Sequence, residues 1–353
     1  MRAVHTGASA TGILPVVDLS RSGKMRPIIF LVLSISSVCA VSLNTHWEEE
    51  DTKWISGILE NVLKKKVDSL GSLHYATSAL KLLKVTPASD AAHLACEAAK
   101  KADLSELDNL YDALAISADL PNCALPSVAG AQKLIDGVIK EITPNGERIY
   151  RALRSADHGK KKKFQVDQGA FDKILLEAMK EDSPLNLGWV FNAAALLNKD
   201  LVSKYFDKIK NLVSQADEVD KKFLQFEGGL TTTAIAVHGI MSLAEKQGKV
   251  PALSQEQTLL FSNYLLSRKH VSTERAAFHL LKALGVLVNN HQLVPITVSL
   301  VGPVMFDRMQ PIKIAVTNVF GLPIEATDVH VDITPLGSER ALASNVKMNR
   351  LSS

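Results

Sequence analysis

The sequence predicts a mainly α-helical protein in which an α/α helical-hairpin repeat, an open solenoid or a closed toroid, is followed by a partial β-sandwich. Amphipathic segments recur at intervals of roughly 35 to 45 residues, which is typical of stacked helical hairpins. Hydrophobic residues make up 46% of the chain and aromatic residues only 5%, which favours helices packed through aliphatic side chains. Beyond Leu293 the apolar period changes from helical to two, the period of strands.

We predict that residues 1–40 form a signal peptide with an upstream extension. Its apolar core is 28–38, preceded by Lys24 and Arg26 and followed by the small residue Ala40. Met25 is an alternative to Met1 as the start of translation. The apolar run is shorter than the roughly 20 residues that span a bilayer, so the pattern favours a cleaved signal over an anchor.

The charge of the chain indicates no nucleic-acid partner. The formal net charge is +3, and the segment before the predicted cleavage point after Ala40 holds four basic residues and one acidic residue. Cleavage would therefore remove the whole excess of positive charge. A strongly basic surface, which nucleic-acid binding requires, is not expected in the mature protein.

Residues 41–292 are predicted to be a lumenal α/α repeat domain. In "WISGILENVLKKK", Trp54, Ile55, Leu59 and Leu63 fall on one helical face. The same pattern recurs in the segments LHYATSALKLLKVTP, LSELDNLYDALAISADL, GERIYRALRSAD, SPLNLGWVFNAAALL, GLTTTAIAVHGIMSLAE and STERAAFHLLKALGVL. Second amphipathic helices are expected between them, for example in AGAQKLIDGVIKEI and KYFDKIKNLVSQADEV.

The glycine pair Gly228–Gly229 raises the question of a ligand loop. Neither the dinucleotide-binding G-x-G-x-x-G pattern nor the phosphate-binding G-K-[ST] pattern is present. We interpret the pair as the turn into a helix that Thr231 or Thr232 caps through its hydroxyl group. On this helix His238 is predicted to be a packed side chain rather than a ligand.

Two cysteines remain once Cys39 is removed with the signal. In an oxidising lumen Cys96 and Cys123 most simply form one disulfide, and two buried free thiols are the alternative. The bridge would close a loop of about 27 residues and stabilise the fold by about 3 kcal/mol on the loop-entropy model. A metal site is not expected, because two cysteines and scattered histidines supply no ligand cluster.

Residues 293–340 are predicted to form a partial β-sandwich. The segments VPITVSLVG, QPIKIAVTNVFG and TDVHVDITPLG alternate apolar and polar residues, and NVFGLPI reads as a turn. Three or four strands do not close a sandwich, so we expect the module to be cut short at Ser353. Residues 341–353 show no pattern and are predicted to be a disordered tail.

The sequence offers no catalytic, cofactor-binding or metal-binding set. G-x-S-x-G, H-E-x-x-H and C-x-x-C do not occur, and the ten histidines are scattered. The most charged stretch is Lys160–Lys163. It is interpreted as a solvated loop between helices, with contact to an anionic lipid headgroup or an acidic partner as the alternative.

The collinear order of these segments resembles the ribophorin II family. The residues that carry the resemblance are KKFLQFEGGLTTTAIAVHGIMSLAEKQGK and the downstream LVPITVSLVG and IKIAVTNVFGLPIEATDVHVDI. LHYATSALKLLKVTP, GERIYRALRSA and the pair Cys96 and Cys123 support it. The resemblance runs from about residue 42 to about residue 340, and QFEGGL with its following threonines is the most specific part.

The resemblance implies a non-catalytic subunit of the oligosaccharyltransferase complex of the endoplasmic reticulum, which supports N-linked glycosylation of nascent proteins. Its implied partners are other subunits of that complex, with nascent polypeptide or the translocon as further ones, and it implies no cofactor. Family members continue into a further lumenal β region and transmembrane helices. We therefore expect membrane association through the complex or through a C-terminal region that this sequence lacks.

Two other classes of function remain open. One is an enzyme on an α/α toroid, of the terpenoid-cyclase or prenyltransferase type. Such an enzyme needs an acidic or zinc-binding motif, and neither D-x-D-D nor D-D-x-x-D occurs. The other is a secreted helical binding module. Repeated helical hairpins expose an extended rigid surface, which suits protein–protein contact in either non-enzymatic hypothesis.

Overall fold

The computed structural model describes residues 43, 45–65, 69–125, 127–159, 164–290, 293–301 and 312–324, with short strand segments at 2–3, 15–17, 29–30, 305–306, 329–330 and 348–350. The described chain is mainly helical with few short strands. It divides into two compact units, one formed by Met1–His46 with Val294–Ser353 and the other by Trp47–Leu293.

The unit Trp47–Leu293 contains all of the described helices. Their bounds are α1 Glu49–Lys64, α2 Leu70–Leu82, α3 Ser89–Lys101, α4 Leu107–Asp119, α5 Ala131–Val138, α6 Gly146–His158, α7 Gln168–Ala178, α8 Pro184–Ala194, α9 Lys199–Phe206, α10 Ile209–Val213, α11 Gly229–Gln247, α12 Gln255–Ser267 and α13 Glu274–Val288. A short antiparallel hairpin, β4 Asp217–Val219 and β5 Phe223–Gln225, precedes α11.

Six of these helices follow one another as packed neighbours. Helix α2 packs against α4, α4 against α6, α6 against α8, α8 against α11, α11 against α13, and α13 packs back against α2. The remaining long helices lie outside them, for example α3 against α4, α5 against α6 and α12 against α13. The six segments with the recurring pattern that the sequence singled out fall on these six helices.

The extent of burial differs among the helices, and α12, outside the six, also buries a long run, Leu260–Leu266. Helix α2 buries eight consecutive residues, Leu73–Leu80, and α8 buries nine, Asn186–Ala194. Helices buried on all sides carry apolar residues around their whole circumference, whereas an outer helix needs only one apolar stripe. Helix α1 accordingly buries residues four apart, Ile55, Leu59 and Leu63.

Helix α1 corrects one sequence prediction. Trp54, which was placed on the apolar face, is 57% exposed. It lies one position from the buried stripe at Ile55, and helical spacing turns it toward solvent. Asp51 of α1 lies in that buried stripe and its Oδ2 atom accepts a hydrogen bond of 2.6 Å from Lys269, which follows α12.

The glycine pair is a helix start, as predicted, but the predicted cap is wrong. Helix α11 begins at Gly229, and the N-cap residue is Gly228, which makes no side-chain cap. Its φ of 91° lies in the left-handed region that favours glycine. Thr231 and Thr232 lie inside the helix, and the hydroxyl of Thr233 instead accepts a hydrogen bond of 3.0 Å from the backbone N–H of Phe226.

The predicted helix over KYFDKIKNLVSQADEV is interrupted. Its residues divide among α9, α10 and β4. Strands β4 and β5 are joined through Asp220 and Lys221, whose φ values are 54° and 53°. Two successive positive φ values are those of a type I′ hairpin turn, which pairs β4 with β5 where the sequence predicted helix.

The other unit contains a four-stranded sheet. Its strands are β2 Pro15–Val17, β6 Ile296–Val301, β8 Ile312–Asn318 and β10 Met348–Arg350, in the order β10-β2-β8-β6. Strands β6 and β8 pair antiparallel from Ile296 with Asn318 to Val301 with Lys313. Two further pairs join β1 Arg2–Ala3 with β9 Val329–His330 and β3 Ile29–Phe30 with β7 Met305–Phe306.

The strands expected from VPITVSLVG and QPIKIAVTNVFG are those of β6 and β8, and a turn follows β8. The side chain of Asn318 accepts hydrogen bonds from the backbone N–H groups of Phe320 and Leu322, and Gly321 has a φ of 67°. Strand β10 lies in the predicted tail 341–353, and β1, β2 and β3 lie in the predicted signal segment 1–40. Cleavage of 1–40 remains a prediction.

Candidate functional site

Five of the six mutually packed helices, α2, α4, α6, α8 and α13, carry a connected group of aromatic rings. Tyr75 on α2 lies 5.3 Å from Phe278 on α13, and Tyr150 on α6 lies 5.0 Å from Trp189 on α8, as ring-centroid distances. His279 on α13 connects the two pairs, at 5.7 Å from Tyr75 and 5.6 Å from Trp189. Rings at these separations stabilise a core beyond the area that they bury.

A buried histidine–aspartate pair joins two of these helices. The Nδ1 atom of His74 on α2 lies 2.8 Å from Oδ1 of Asp112 on α4, and both side chains are almost fully buried. The ring of Tyr111 meets the imidazole of His74 edge-on at 4.9 Å. The Asp112 carboxylate fixes the orientation of the imidazole.

A cavity of about 520 Å³ opens between α6, α8, α11 and α13. It is lined by Tyr150, Arg154, Asn192, Ala195, Leu196, His238, Met241, Ser242, Glu245, Lys246, Lys282, Val286, Asn289 and Asn290. Its size is within the range of small-molecule sites, roughly 300–1,000 Å³. Sequence reasoning expected no such pocket.

The cavity wall is basic. Lys282 donates a hydrogen bond of 2.9 Å to the hydroxyl of Tyr150, and its ammonium lies 5.3 Å from the centre of that ring. Arg154 forms an ion pair of 2.6 Å with Asp157, which lies one turn along α6. Lys246 adds a positive charge to the lining of the cavity, and Glu245 adds a negative one.

The pKa values of the surrounding groups respond to this charge. Burial alone would raise the pKa of Tyr150, but the charges of Lys282 and Arg154 bring it below its ordinary value. Burial, followed by the charge of Lys282, lowers the pKa values of His238 and His279 well below the usual histidine range. Both histidines are therefore neutral at neutral pH.

His238 lies where the sequence placed it, on α11, but it also faces the cavity. It is half-buried, and its Nδ1 atom contacts Oδ1 of Asn192 on α8. The amide nitrogen of Asn192 donates to the carbonyl oxygens of Gly188 and Ile235, so its Oδ1 atom is the one left to accept from His238. The contact ties α8 to α11 and holds one orientation of the imidazole.

Cys96 on α3 and Cys123, which follows α4, are joined by a disulfide with their Cα atoms 5.6 Å apart. Both residues are buried. Neither cysteine lines the cavity. The lysines Lys160–Lys163 lie outside the described residues.

Sequence reasoning missed Tyr150, Arg154 and Lys282 as a group. Tyr150 and Arg154 are four residues apart in GERIYRALRSAD, which does place them on one helical face. Lys282 is 132 residues from Tyr150, so no local spacing could connect the two.

In the described part of the chain, no group of three or more His, Cys, Asp or Glu side chains could hold a metal ion. Within the same residues, no helix is long and apolar enough to cross a membrane. The cavity does not offer the paired carboxylates of an acid-initiated cyclisation or of diphosphate–metal binding. The unit Trp47–Leu293 is thus a mainly helical domain with a basic cavity.

Comparison with known proteins assigns that domain to a family. Residues 47–288 match the ribophorin II N-terminal domain, and the chain belongs to the ribophorin II family. It is also 34% identical over 131 residues to the dolichyl-diphosphooligosaccharide–protein glycosyltransferase subunit swp1 of Dictyostelium discoideum. That similarity covers 36% of this chain and 19% of the relative, so the chain spans about a fifth of the relative's length.

Proposed function

We propose that this protein is a non-catalytic subunit of an oligosaccharyltransferase complex and supports N-linked glycosylation on the lumenal side of the endoplasmic reticulum. The observation that carries the proposal is the family match over residues 47–288, which covers almost the whole compact unit Trp47–Leu293. The glycosyltransferase-subunit name of the 34% identical relative points to the same complex. Its partners would be the other subunits of that complex.

The chemistry of the described residues supports an accessory role. The transfer of a glycan to an asparagine needs a metal ion or an acidic group that stabilises the developing charge. The cavity of the helical unit is basic, and its one lining carboxylate is the exposed Glu245. The catalytic step would therefore take place in another subunit.

The helical unit is proposed to be a closed α/α toroid of hairpin repeats rather than an open solenoid. The return of α13 to α2 in the order of packed neighbours supports closure, as does the contact of α1 with α13. The ion pair of 2.6 Å between Asp51 and Lys269 also joins the two ends of the unit. A closed ring is rigid, which suits a scaffold that holds partner subunits.

The secretory part of the proposal concerns processing and oxidation. We propose removal of 1–40, formation of the Cys96–Cys123 bond in the lumen, and a partial β-sandwich over 293–340. Cleavage would remove β2, which lies between β8 and β10 in the sheet. Sequencing of the amino terminus of the mature protein would give Val41 if this is right, and an intact 1–40 would contradict it.

The experiment for the main proposal is affinity capture of the tagged full chain from detergent-solubilised microsomes, with the captured proteins quantified by mass spectrometry. We expect the catalytic oligosaccharyltransferase subunit to be captured in near-stoichiometric amounts. A tagged, unrelated lumenal protein is the control. Secretion of the chain into the medium without those subunits would instead support the secreted binding module.

A second measurement tests function rather than association. Depletion of the protein should lower the occupancy of N-glycosylation sites on a reporter glycoprotein, and re-expression should restore it. Unchanged occupancy after complete depletion would contradict a supporting role in glycosylation even if the complex is captured.

A further inference from the structure

We propose that the cavity between α6, α8, α11 and α13 is a binding site for a small organic oxyanion, a phosphate or a carboxylate. The inference goes beyond the proposed role in the complex and does not depend on it. It concerns residues of the helical unit alone, and it is argued from the charges, the size and the lining of the cavity.

Among the described residues, the ammonium of Lys282 has no acidic partner. No carboxylate among the described residues lies within ion-pair distance of it, and its one hydrogen bond, of 2.9 Å, goes to the hydroxyl of Tyr150. Its other neighbours are the faces of the Tyr150 and Phe278 rings, each at 5.3 Å. A half-buried ammonium held by a hydroxyl and two rings keeps its charge available to an anion.

The charged side chains at the cavity are mostly basic. Arg154 and Lys246 also line it, and the carboxylates that face these groups are Glu245 at the exposed rim, Asp157 paired with Arg154, and Asp119 further from Arg154. Arg154 has five donors, and its ion pair with Asp157 joins one guanidinium nitrogen to one carboxylate oxygen. Donors thus remain for a ligand oxyanion.

Lys282 and Arg154 also make the electrostatic potential inside the cavity positive. Lys282 and Arg154 both act on Tyr150 and on His238, and Lys282 also acts on His279. The positive charge lowers the pKa of Tyr150 against the effect of burial, and it adds to the effect of burial on the two histidines, so it would favour an anion placed among them. His238 is neutral, so its side chain brings no negative charge that would repel an anion.

The size of the cavity and the apolar part of its wall indicate the kind of ligand that would fit. A cavity of about 520 Å³ is larger than a bare phosphate ion needs. Leu196, Met241 and Val286 supply apolar surface beside the cations. A ligand with an anionic head and a small apolar body would meet both parts of the wall, which is the usual composition of small-molecule sites.

Two buried polar atoms belong to side chains behind the cavity wall, Trp189 in contact with the lining residue Tyr150 and His279 in contact with Trp189, although neither side chain lines the cavity. Neither Nε1 of Trp189 nor Nε2 of His279 has a hydrogen-bond partner among the described residues, although both side chains are buried. Trp189 contacts Tyr150 of the cavity wall at a ring-centroid distance of 5.0 Å. A ligand or a water that reached these atoms would supply the hydrogen bonds that they lack.

The test is isothermal titration calorimetry of the purified full chain at constant ionic strength. The probes are phenyl phosphate, benzoate, inorganic phosphate and benzyl alcohol. We expect saturable one-to-one binding of phenyl phosphate or benzoate, and at least tenfold weaker binding of inorganic phosphate and of benzyl alcohol. The comparison of phenyl phosphate with benzoate decides between a phosphate and a carboxylate ligand.

Variants locate the site. Lys282→Gln and Arg154→Gln should each weaken binding of the better anion at least tenfold, whereas Lys173→Gln, on the exposed side of α7, should leave it unchanged. Far-ultraviolet circular dichroism of each variant checks that it is folded. If Arg154→Gln fails to fold, Lys246→Gln, at the half-buried edge of the cavity, replaces it.

Intrinsic fluorescence gives an independent readout. Of the three tryptophans, Trp189 is the one beside Tyr150, so ligand binding should change its emission and Trp189→Phe should abolish the change. The proposal is overturned if neither organic anion binds saturably, if benzyl alcohol binds as tightly as the anions, or if Lys282→Gln binds the anion as the wild type does.

Discussion

The Nδ1 atom of His74 lies 2.8 Å from the Oδ1 atom of Asp112, in a contact that spans 38 residues of sequence and joins α2 to α4 in the interior of the helical unit. Both side chains are buried, and the imidazole also contacts the rings of Tyr75, Tyr111 and Phe278. One polar pair thus connects two neighbouring helices inside an otherwise aromatic environment.

Replacement of Asp112 should destabilise the helical unit. Asp112→Ala leaves the buried imidazole of His74 without its partner, and we expect a loss of about 1–3 kcal/mol in the free energy of unfolding. Urea denaturation followed by circular dichroism measures it. Asp182→Ala, at an exposed position whose carboxylate has no hydrogen bond described here, is the control and should change stability by less than about 0.5 kcal/mol. Equal effects of the two substitutions would contradict the structural role of the pair.

The close approach of α8 and α11 predicts a cost for a single methyl group. A Cβ atom on Gly188 would lie 3.0 Å from backbone atoms of Ala236, and one on Gly239 would lie 2.7 Å from the carbonyl oxygen of Gly188. Because the obstructing atoms belong to the backbone, they cannot move aside cheaply. Gly188→Ala and Gly239→Ala should each reduce the free energy of unfolding by about 1–3 kcal/mol.

The matched control for these substitutions is Gly57→Ala. Gly57 lies in the middle of α1, and a Cβ atom there would meet nothing within 4 Å. Alanine has the higher helix propensity, so this substitution should stabilise the protein by about 0.5–1 kcal/mol. If Gly188→Ala and Gly239→Ala raise the urea midpoint as Gly57→Ala does, helix propensity rather than close packing decides the result.

The pH dependence of stability should show the buried histidines. Burial and the charge of Arg154 lower the pKa of His158 to about 4, below the ordinary histidine value of 6.5. In that window the unfolded chain binds the proton and the folded one does not. Stability from this group is therefore complete above pH 6.5 and is lost as the pH falls toward 4, by up to about 1.4 kcal/mol per pH unit.

The variant His158→Gln isolates this contribution. The difference in unfolding free energy between wild type and variant should be constant above pH 6.5 and should shrink as the pH falls from 6.5 to 4. Asp119 and Asp157 oppose the charge of Arg154 at this site, and both remain in the variant. A flat difference curve for His158→Gln would contradict the lowered pKa.

Loss of the disulfide should lower stability through the unfolded state. The Cys96–Cys123 bond closes a loop with a sequence separation of 27, and the double variant Cys96→Ser with Cys123→Ser should be less stable by about 3 kcal/mol. Reductant should bring the wild type down to the level of the double variant and leave the variant unaffected. A wild type that does not respond to reductant, and that labels at both thiols when unfolded, would show that the cysteines are free.

The local sequence pattern was sufficient to predict where most of the helices lie in the chain. The recurring apolar segments matched α2, α4, α6, α8, α11 and α13 because a buried helix must carry apolar residues at the helical period. It was also sufficient for the helix start after Gly228, because a left-handed residue there favours glycine. It failed at the end of KYFDKIKNLVSQADEV, where two residues of positive φ turn the chain into a hairpin.

The cavity and its chemistry were decided only by the tertiary structure. The helical period of the apolar residues predicts which side chains are buried, but it does not predict which helix each of them packs against. The pairing of Tyr150 with Lys282, 132 residues apart, and of His74 with Asp112 depends on the order in which the helices pack. The sequence by itself determined a mainly helical chain of the ribophorin II type. The packing brought Arg154, Lys246 and Lys282 from three helices to one basic cavity, because only folding places those helices side by side.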